Sequence, residues 1–393
     1  MANRRLKVGY FILEGTNSFA SVYYAYYLYF YMEKVFGFGN KANLTLAACY
    51  GGIYMLAAWL GGRVSQRIGY LSALKLGFGI MAAGLAMGTR AGSPAGQISV
   101  MAIIVIGMCL TWPSLEALVS EGERPETLPR MIGIYNVVWA GTGALAYFIG
   151  GATLDKLGLK SMFYVPLAIE LGQLAFCFWL ARKARIEVTA AGSNENLRAA
   201  TFPALNPRPI AKARTFLRMA WLANPFAYIA INTLIAVMPG LAARLGLSAT
   251  LAGFYGSIWC FARLGVFFVL WFWEGWHYRF GWMAAAYVAL LATFASMLIA
   301  PNLAFLIAAQ VVFGAAVGLI YYSSLFYSMD TSETKGEHGG IHEAAIGLGN
   351  LAGPAMGAAS LHLLPNYANS GVYAVSGLLA AGLAGLVAIR KWG

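Results

Sequence analysis

The chain has 393 residues, of which 60% are hydrophobic and 11% charged, and its formal net charge is +12. Because a water-soluble protein carries about 25% charged residues, this composition excludes a soluble enzyme, a disordered chain, a disulfide scaffold and an ordinary DNA-binding protein. We therefore treat the lipid bilayer as the solvent and look for membrane spans.

Twelve apolar stretches are long enough to cross the hydrocarbon core, which takes about 20 mostly apolar residues per helix. The predicted spans are 8–33, 43–62, 71–90, 98–118, 131–153, 160–181, 218–239, 248–271, 281–300, 303–328, 340–362 and 370–389. A polar, basic segment separates the first six from the last six. We predict an all-α integral membrane protein with an N-terminal six-helix bundle over 1–181, a cytoplasmic linker over 182–217 and a C-terminal six-helix bundle over 218–393.

The distribution of Lys and Arg predicts the orientation of these spans. If the N-terminus is cytoplasmic, most Lys and Arg residues fall in the cytoplasmic loops and the linker, as the positive-inside rule requires. Both termini are therefore expected in the cytoplasm, with the chain in the cell (inner) membrane. The basic excess is explained by topology and contact with the lipid bilayer, so we expect no nucleic-acid partner, and we expect a monomer.

Two segments repeat along the chain. Residues 50–57 are similar to residues 255–262 at an offset of 205, and residues 141–151 are similar to residues 347–357 at an offset of 206. Each offset equals six predicted spans, which is an even number. The two halves are therefore predicted to be parallel repeats related by a pseudo-two-fold axis along the membrane normal.

The loop after the second span carries a known pattern. It reads GRVSQRIGY from Gly62 to Tyr70 and resembles the signature loop G-x-L-A-D-R-x-G-R-R of the major facilitator superfamily. Gly62, Arg67 and Gly69 match that signature, whereas Gln66 replaces its acidic residue. Together with the topology and the repeat, the chain resembles these secondary transporters. The resemblance implies a central cavity that opens alternately to each side, lined by spans 1, 4, 7 and 10, with spans 2, 5, 8 and 11 forming the interface and gates.

Polar side chains recur at helical spacing in three of the spans expected to line the cavity. In the first span, Glu14, Asn17, Ser21 and Tyr24 share one helical face. A polar face on a helix surrounded by lipid should point toward a cavity. The predicted substrate-binding residues are Asn17, Ser21, Tyr24, Tyr27, Tyr228, Asn232, Arg263, Gln310, Tyr321 and Tyr322. For Tyr24 and Tyr27, helix packing is the alternative role.

Charged residues within a span are expensive and mark functional sites. Arg263, in the eighth span, can bind a carboxylate or phosphate through its planar guanidinium group; the alternative is a gate ion pair with Glu14 or Glu343. Glu14, His342 and Glu343 are predicted to couple transport to protons or to form a gate, although Glu343 also suits a helix N-terminus.

Glu337, His338 and His342 could together hold a divalent metal. The neighbouring sequence supplies no further ligands, so we expect no metal site.

The sequence contains no GxxxxGK[ST] motif, so ATP is not the energy source within this chain, and we expect no cofactor. We also find no HExxH or GxSxG motif and expect no enzymatic activity. The favoured function is a secondary active transporter that moves a small polar organic solute, preferably an organic anion, by alternating access in symport with protons. The alternatives are an exporter of amphipathic drugs or lipids and a non-transporting membrane receptor or assembly factor.

Overall fold

The computed structural model describes residues 4–123, 127–191, 210–331 and 335–392, and within these ranges every regular element is an α-helix. The helices are α1 Arg4–Phe36, α2 Asn40–Ile68, α3 Tyr70–Gly88, α4 Pro94–Ser120, α5 Leu128–Leu157, α6 Ser161–Ala191, α7 Ile210–Arg244, α8 Ala249–Gly256, α9 Ile258–Phe272, α10 Phe280–Leu298, α11 Leu303–Thr331, α12 Lys335–Leu363 and α13 Ser370–Trp392. Each of the twelve predicted spans overlaps a helix, with α8 and α9 together forming the eighth.

Ten helical segments of the described residues are long and apolar enough to cross a membrane, with α8 and α9 counted as one. The predicted spans outside this set lie on α1 and α12, which have 33 and 29 residues. Their length suffices for a crossing at about 1.5 Å per residue, but polar side chains such as Glu14 and Glu343 lower their hydropathy. The chain is an integral membrane protein.

The helices depart from the predicted boundaries in two places. α6 continues to Ala191 and α7 begins at Ile210, so both helices extend into the predicted linker 182–217, of which 192–209 lie outside the described residues. The Ala, Lys and Arg residues after position 181 favour helix, which explains the extension of α6. The eighth span is interrupted at Ser257, whose hydroxyl donates to the Phe254 carbonyl at 2.7 Å, and a Gly-Ser pair is a recurrent cause of helix kinks.

Helices of the first half pack mainly on one another, α1 against α5 and α6, and α3 against α4 and α6. In the second half, α11 packs against α9 and α10, and α7 against α12 and α13. The two most extensive contacts between the halves are α2 with α12, called the α2–α12 wall, and α5 with α8 and α9, called the α5–α9 wall. The cavity described below lies between these walls.

The α2–α12 wall depends on glycine. A methyl group at Gly51 would overlap the backbone of Asn350 and Leu351, and one at Gly347 would lie 2.5 Å from the Cα atom of Met55. Small residues let two membrane helices approach to backbone contact, so these glycines set the spacing of the wall.

Candidate functional site

A cavity of about 160 Å³ lies between the two walls. It is lined by residues of α1, α2, α4, α5, α7, α9, α11 and α12, and therefore by both halves of the chain. Half of the lining is aromatic: Tyr26, Tyr29, Tyr50, Tyr54, Tyr135, Tyr147, Tyr228, Tyr321, Trp112, Trp139 and Trp259. The polar and charged lining residues are Ser21, Asn232, Arg263, Glu343 and Asn350. The site thus combines aromatic surfaces with one basic and one acidic group.

Arg263 lies on α9 between two indole rings. Its guanidinium carbon is 4.5 Å from the ring centre of Trp139 on α5 and 4.9 Å from that of Trp259. The side chain is 7% exposed, and its Nε has no hydrogen-bond partner among the described residues. The ion pair recorded in the described part of the chain joins Lys7 to Glu123 instead. The gate ion pair of Arg263 with Glu14 or Glu343, the alternative raised above, is therefore not formed in this structure.

Three carboxyl groups from both halves lie near one another beside the cavity. Glu343 on α12 accepts a hydrogen bond from the Tyr54 hydroxyl on α2. Glu14 on α1 and Glu116 on α4 are close enough to interact electrostatically with Glu343 and with each other. The Glu14 carboxyl group is fully buried, and the side chain of Tyr135 on α5 interacts with it. Burying carboxylates together is costly unless protons or cations neutralise them, so this cluster is suited to holding positive charge.

His342 is buried next to this cluster but does not line the cavity. Its ring meets Tyr321 edge-on at 5.7 Å between centroids, and its Nε2 has no hydrogen-bond partner within the described ranges. The side chains of Glu337 and His338 lie outside the described residues. In the part of the chain that the structure describes, no group of three or more His, Cys, Asp or Glu could hold a metal ion.

An amide pair closes one side of the cavity. The Asn232 amide on α7 donates to the Asn350 carbonyl oxygen on α12, and its nitrogen is also 3.4 Å from the Tyr228 carbonyl. Tyr228, Asn232 and Tyr321, which the sequence predicted for substrate contact, all line the cavity. Ser21 lines it from α1.

The remaining predicted substrate residues lie away from the cavity in this structure. Tyr27 donates to the Tyr147 carbonyl at 2.6 Å, Tyr24 packs on Phe163, and Tyr322 packs on Phe267 and Trp276. Asn17 and Gln310 are fully buried, and their side-chain amides have no partner among the described residues. For Tyr24 and Tyr27, helix packing is the role that these contacts favour.

Several cavity residues were missed by the sequence analysis. Trp139, Trp259 and Tyr54 were not singled out, and Glu116 was not included among the predicted coupling residues. A signal existed for Trp259, which precedes Arg263 by four residues and so shares its helical face. Glu116 also carries a local signal, because it is a charged residue within the apolar fourth span. No local signal could identify Trp139, because it reaches the site from another helix.

The predicted signature loop lies at the α2–α3 junction. Gly69 separates the two helices with a φ of +84°, a backbone conformation that glycine adopts without steric cost. Arg67 is exposed in the last turn of α2, and Gly62 is buried within it.

Comparisons with known proteins agree with this architecture. Two solved structures of the nucleoside transporter NupG are similar in fold. The first has a TM-score of 0.70 at 15% identity, covering 99% of this chain and 100% of that one. The second, an aspartate-to-alanine mutant, has a TM-score of 0.70 at 14% identity, covering 98% and 99%. No curated protein matches the chain by sequence. A sequence model of the Major Facilitator Superfamily matches residues 8–354, and the chain therefore belongs to this superfamily.

Proposed function

We propose that the protein is a secondary active transporter that moves a small organic anion through the cavity by alternating access. The observation that carries this proposal is Arg263, a buried guanidinium that faces the cavity with no acidic partner among the described residues. A buried charge left without a counter-charge costs several kcal/mol, and the two flanking indoles offset part of that cost, at about 2 kcal/mol each when desolvated. A carboxylate or phosphate on the solute completes the neutralisation and can accept two parallel hydrogen bonds from the guanidinium.

The same proposal includes coupling to protons in symport. Glu14, Glu116 and Glu343 combine carboxyl groups of both halves, so a proton bound among them changes the repulsion across the interface. His342 is adjacent to Glu343 in sequence and supplies a second group able to carry a proton. When an anion binds to Arg263 and a proton binds to the carboxyl cluster, the positive charge of Arg263 and a negative charge of the cluster are neutralised together.

The proposal assigns the chain two six-helix bundles related by a pseudo-two-fold axis. The contacts between the halves support this, because α2 meets α12 while α5 meets α8 and α9. Under the repeat, α2 is equivalent to the α8–α9 span and α5 to α12, so the axis exchanges the two walls. We place both termini in the cytoplasm and the protein as a monomer in the inner membrane, as the Lys and Arg distribution favours.

Uptake into proteoliposomes tests the proposal. We expect labelled organic carboxylates or phosphate esters to enter faster when the exterior is more acidic than the interior. Glu14→Gln and Glu343→Gln should abolish this stimulation. Glu170→Gln is the matched control, because Glu170 is a fully buried carboxyl on α6 that does not line the cavity. If uptake by the parent protein does not depend on the pH gradient, the proposed proton coupling is wrong. If only uncharged solutes are taken up, the proposed anionic substrate is wrong.

A nucleoside is the second candidate substrate. NupG, which has a similar fold, is a nucleoside transporter, and the aromatic lining with the Asn232–Asn350 amide pair suits a flat, polar base. A nucleoside carries no anionic group for Arg263. Retained uptake by Arg263→Gln would therefore favour the nucleoside, and lost uptake would favour the anion.

A further inference from the structure

The cavity has a fixed electrical polarity. Arg263 stands on the α5–α9 wall and Glu343 on the α2–α12 wall, and both line the same cavity. The two side chains form no ion pair within 4.0 Å. Trp139, which lies over the Arg263 guanidinium, meets Tyr321 at 5.2 Å between ring centroids, and Tyr321 lies 6.4 Å from Tyr228, both of which line the cavity. A ligand in this cavity therefore meets a cation at one end and an acid at the other.

The repeat gives this polarity no symmetric counterpart. At the offset of 205, Arg263 aligns with Ala58, and at the offset of 206, Glu343 aligns with Val137. Each charge is thus confined to one wall, and the equivalent place on the other wall is apolar. Two identical ends of a symmetric ligand would not match such a cavity, whereas two ends of opposite charge would.

The acidic end is also built from aromatic rings. Tyr54, whose hydroxyl donates to Glu343, stacks with Tyr50 at 6.0 Å between centroids, and Tyr135 lines the cavity beside them. Ring faces attract cations, by about 0.5–2 kcal/mol each. An ammonium group placed there meets a carboxylate and tyrosine rings together, which is the composition of a cation site.

We propose that the preferred solute is a zwitterion, with its carboxylate or other anionic group on Arg263 and an ammonium group on Glu343. The inference rests on the proposed function for its anionic half and adds the cationic half. Because a protonated carboxyl group no longer attracts an ammonium ion, the proton of the proposed symport is carried by Glu14 or Glu116 while the ammonium group occupies Glu343. A zwitterion also spans the cavity without leaving either buried charge unpaired.

Matched ligand series test the inference on the purified full-length protein. Each series shares one carbon skeleton and contains the amino acid, its deamino carboxylate and its decarboxylated amine, with aromatic and aliphatic skeletons both represented. Ligand-induced thermal stabilisation gives the ranking, because a ligand stabilises the state that it binds, and titration gives Kd. We expect at least one amino acid to bind about tenfold or more tightly than its deamino carboxylate.

Variants assign the two ends. Glu343→Gln should weaken binding of the amino acid to the affinity of its deamino carboxylate and leave the affinity for the carboxylate unchanged. Arg263→Gln should weaken binding of both ligands. Glu170→Gln, the buried carboxyl outside the cavity, should leave the ratio of the two affinities at the parent value. A ratio that falls in Glu170→Gln as much as in Glu343→Gln would overturn the assignment, because it would show a general effect of removing a buried acid.

The outcomes separate this inference from the proposed function. One outcome is that carboxylates bind as tightly as amino acids, with an affinity that falls in Arg263→Gln and does not change in Glu343→Gln. That result would overturn the zwitterion proposal and leave the proposed anion site in place. If amines bind as well as amino acids and Arg263→Gln changes nothing, the anion site itself fails. If no carboxylate and no amino acid stabilises the parent protein, both are overturned.

Discussion

The α2–α12 wall and the α5–α9 wall border the same cavity but are held together differently. In the α2–α12 wall, backbone meets backbone at Gly51 and Gly347. The α5–α9 wall has a similar contact at α8, where a methyl group at Gly151 would overlap the backbone of Ala249. Toward α9, rings mediate the contact, as where Phe148 meets Phe261 and Tyr147 meets Trp259, each at 5.9 Å between ring centroids. Backbone contact tolerates no added volume, whereas rings can slide and repack. The α2–α12 wall should therefore respond to side-chain size, whereas the contact of α5 with α9 should respond to side-chain chemistry.

The largest effect is expected from the charge on the α5–α9 wall. Arg263→Gln should reduce anion uptake about 100-fold, because losing one member of a buried charge contact costs about 2–5 kcal/mol. Arg263→Lys keeps the charge but loses the planar fork, so it should retain more uptake than the glutamine variant. Initial rates in proteoliposomes measure both. Equal losses in the two variants would mean that geometry, and not charge, is what the site requires.

The next effect tests the glycine contact of the α2–α12 wall. Gly51→Ala should lower the melting temperature and the uptake rate, because overpacking costs about 1–3 kcal/mol and the obstacle is the backbone of α12. Gly52→Ala is the matched control on the same helix, since its methyl group would lie 3.8 Å from the nearest atom, Leu351 Cδ1. Thermal unfolding in detergent and uptake assays compare the pair. Indistinguishable variants would contradict the close approach of the two helices.

A smaller effect is expected from the rings around Arg263. Trp139→Leu should weaken anion binding about three- to tenfold, because it removes a cation–π contact worth about 0.5–2 kcal/mol. Trp112→Leu removes another indole from the cavity lining, and no cation is recorded over that ring among the described residues. It therefore controls for lost aromatic surface. If both variants weaken binding equally, the indole contributes area and not its interaction with Arg263.

The smallest effects are expected at polar contacts where the helices of the two walls begin or end. Asp155 accepts hydrogen bonds from the Thr250 backbone nitrogen at 2.9 Å and hydroxyl at 2.6 Å, across the α5–α9 wall. Across the α2–α12 wall, Lys41 Nζ lies 3.0 Å from His362 Nδ1. Asp155→Ala should change uptake about threefold, since it removes charge-assisted bonds at the start of α8. Lys41→Ala should change it less, because exposed polar pairs contribute about 0–1 kcal/mol. A larger effect of Lys41→Ala than of Asp155→Ala in the transport assay would show that the α2–α12 wall depends more on its polar contact than the α5–α9 wall does.

Much of this protein could be read from its sequence. Span number and position follow from runs of apolar residues, because the cost of placing a polar group in hydrocarbon is paid locally by each helix. Arg263 and Glu343 were recognisable for the same reason, since a charge within an apolar run stands out without knowledge of its neighbours.

Tertiary structure decided which of the polar residues share the cavity. Asn17 and Ser21 lie one turn apart on α1, yet Ser21 lines the cavity and Asn17 is buried away from it. The rotation of each helix is set by packing against its neighbours, which helical periodicity along one segment does not contain. Trp139 and Glu116 reach the site from α5 and α4 for this reason. The sequence thus determined the medium, the helices and the two charges, whereas long-range packing determined that these charges face one aromatic cavity.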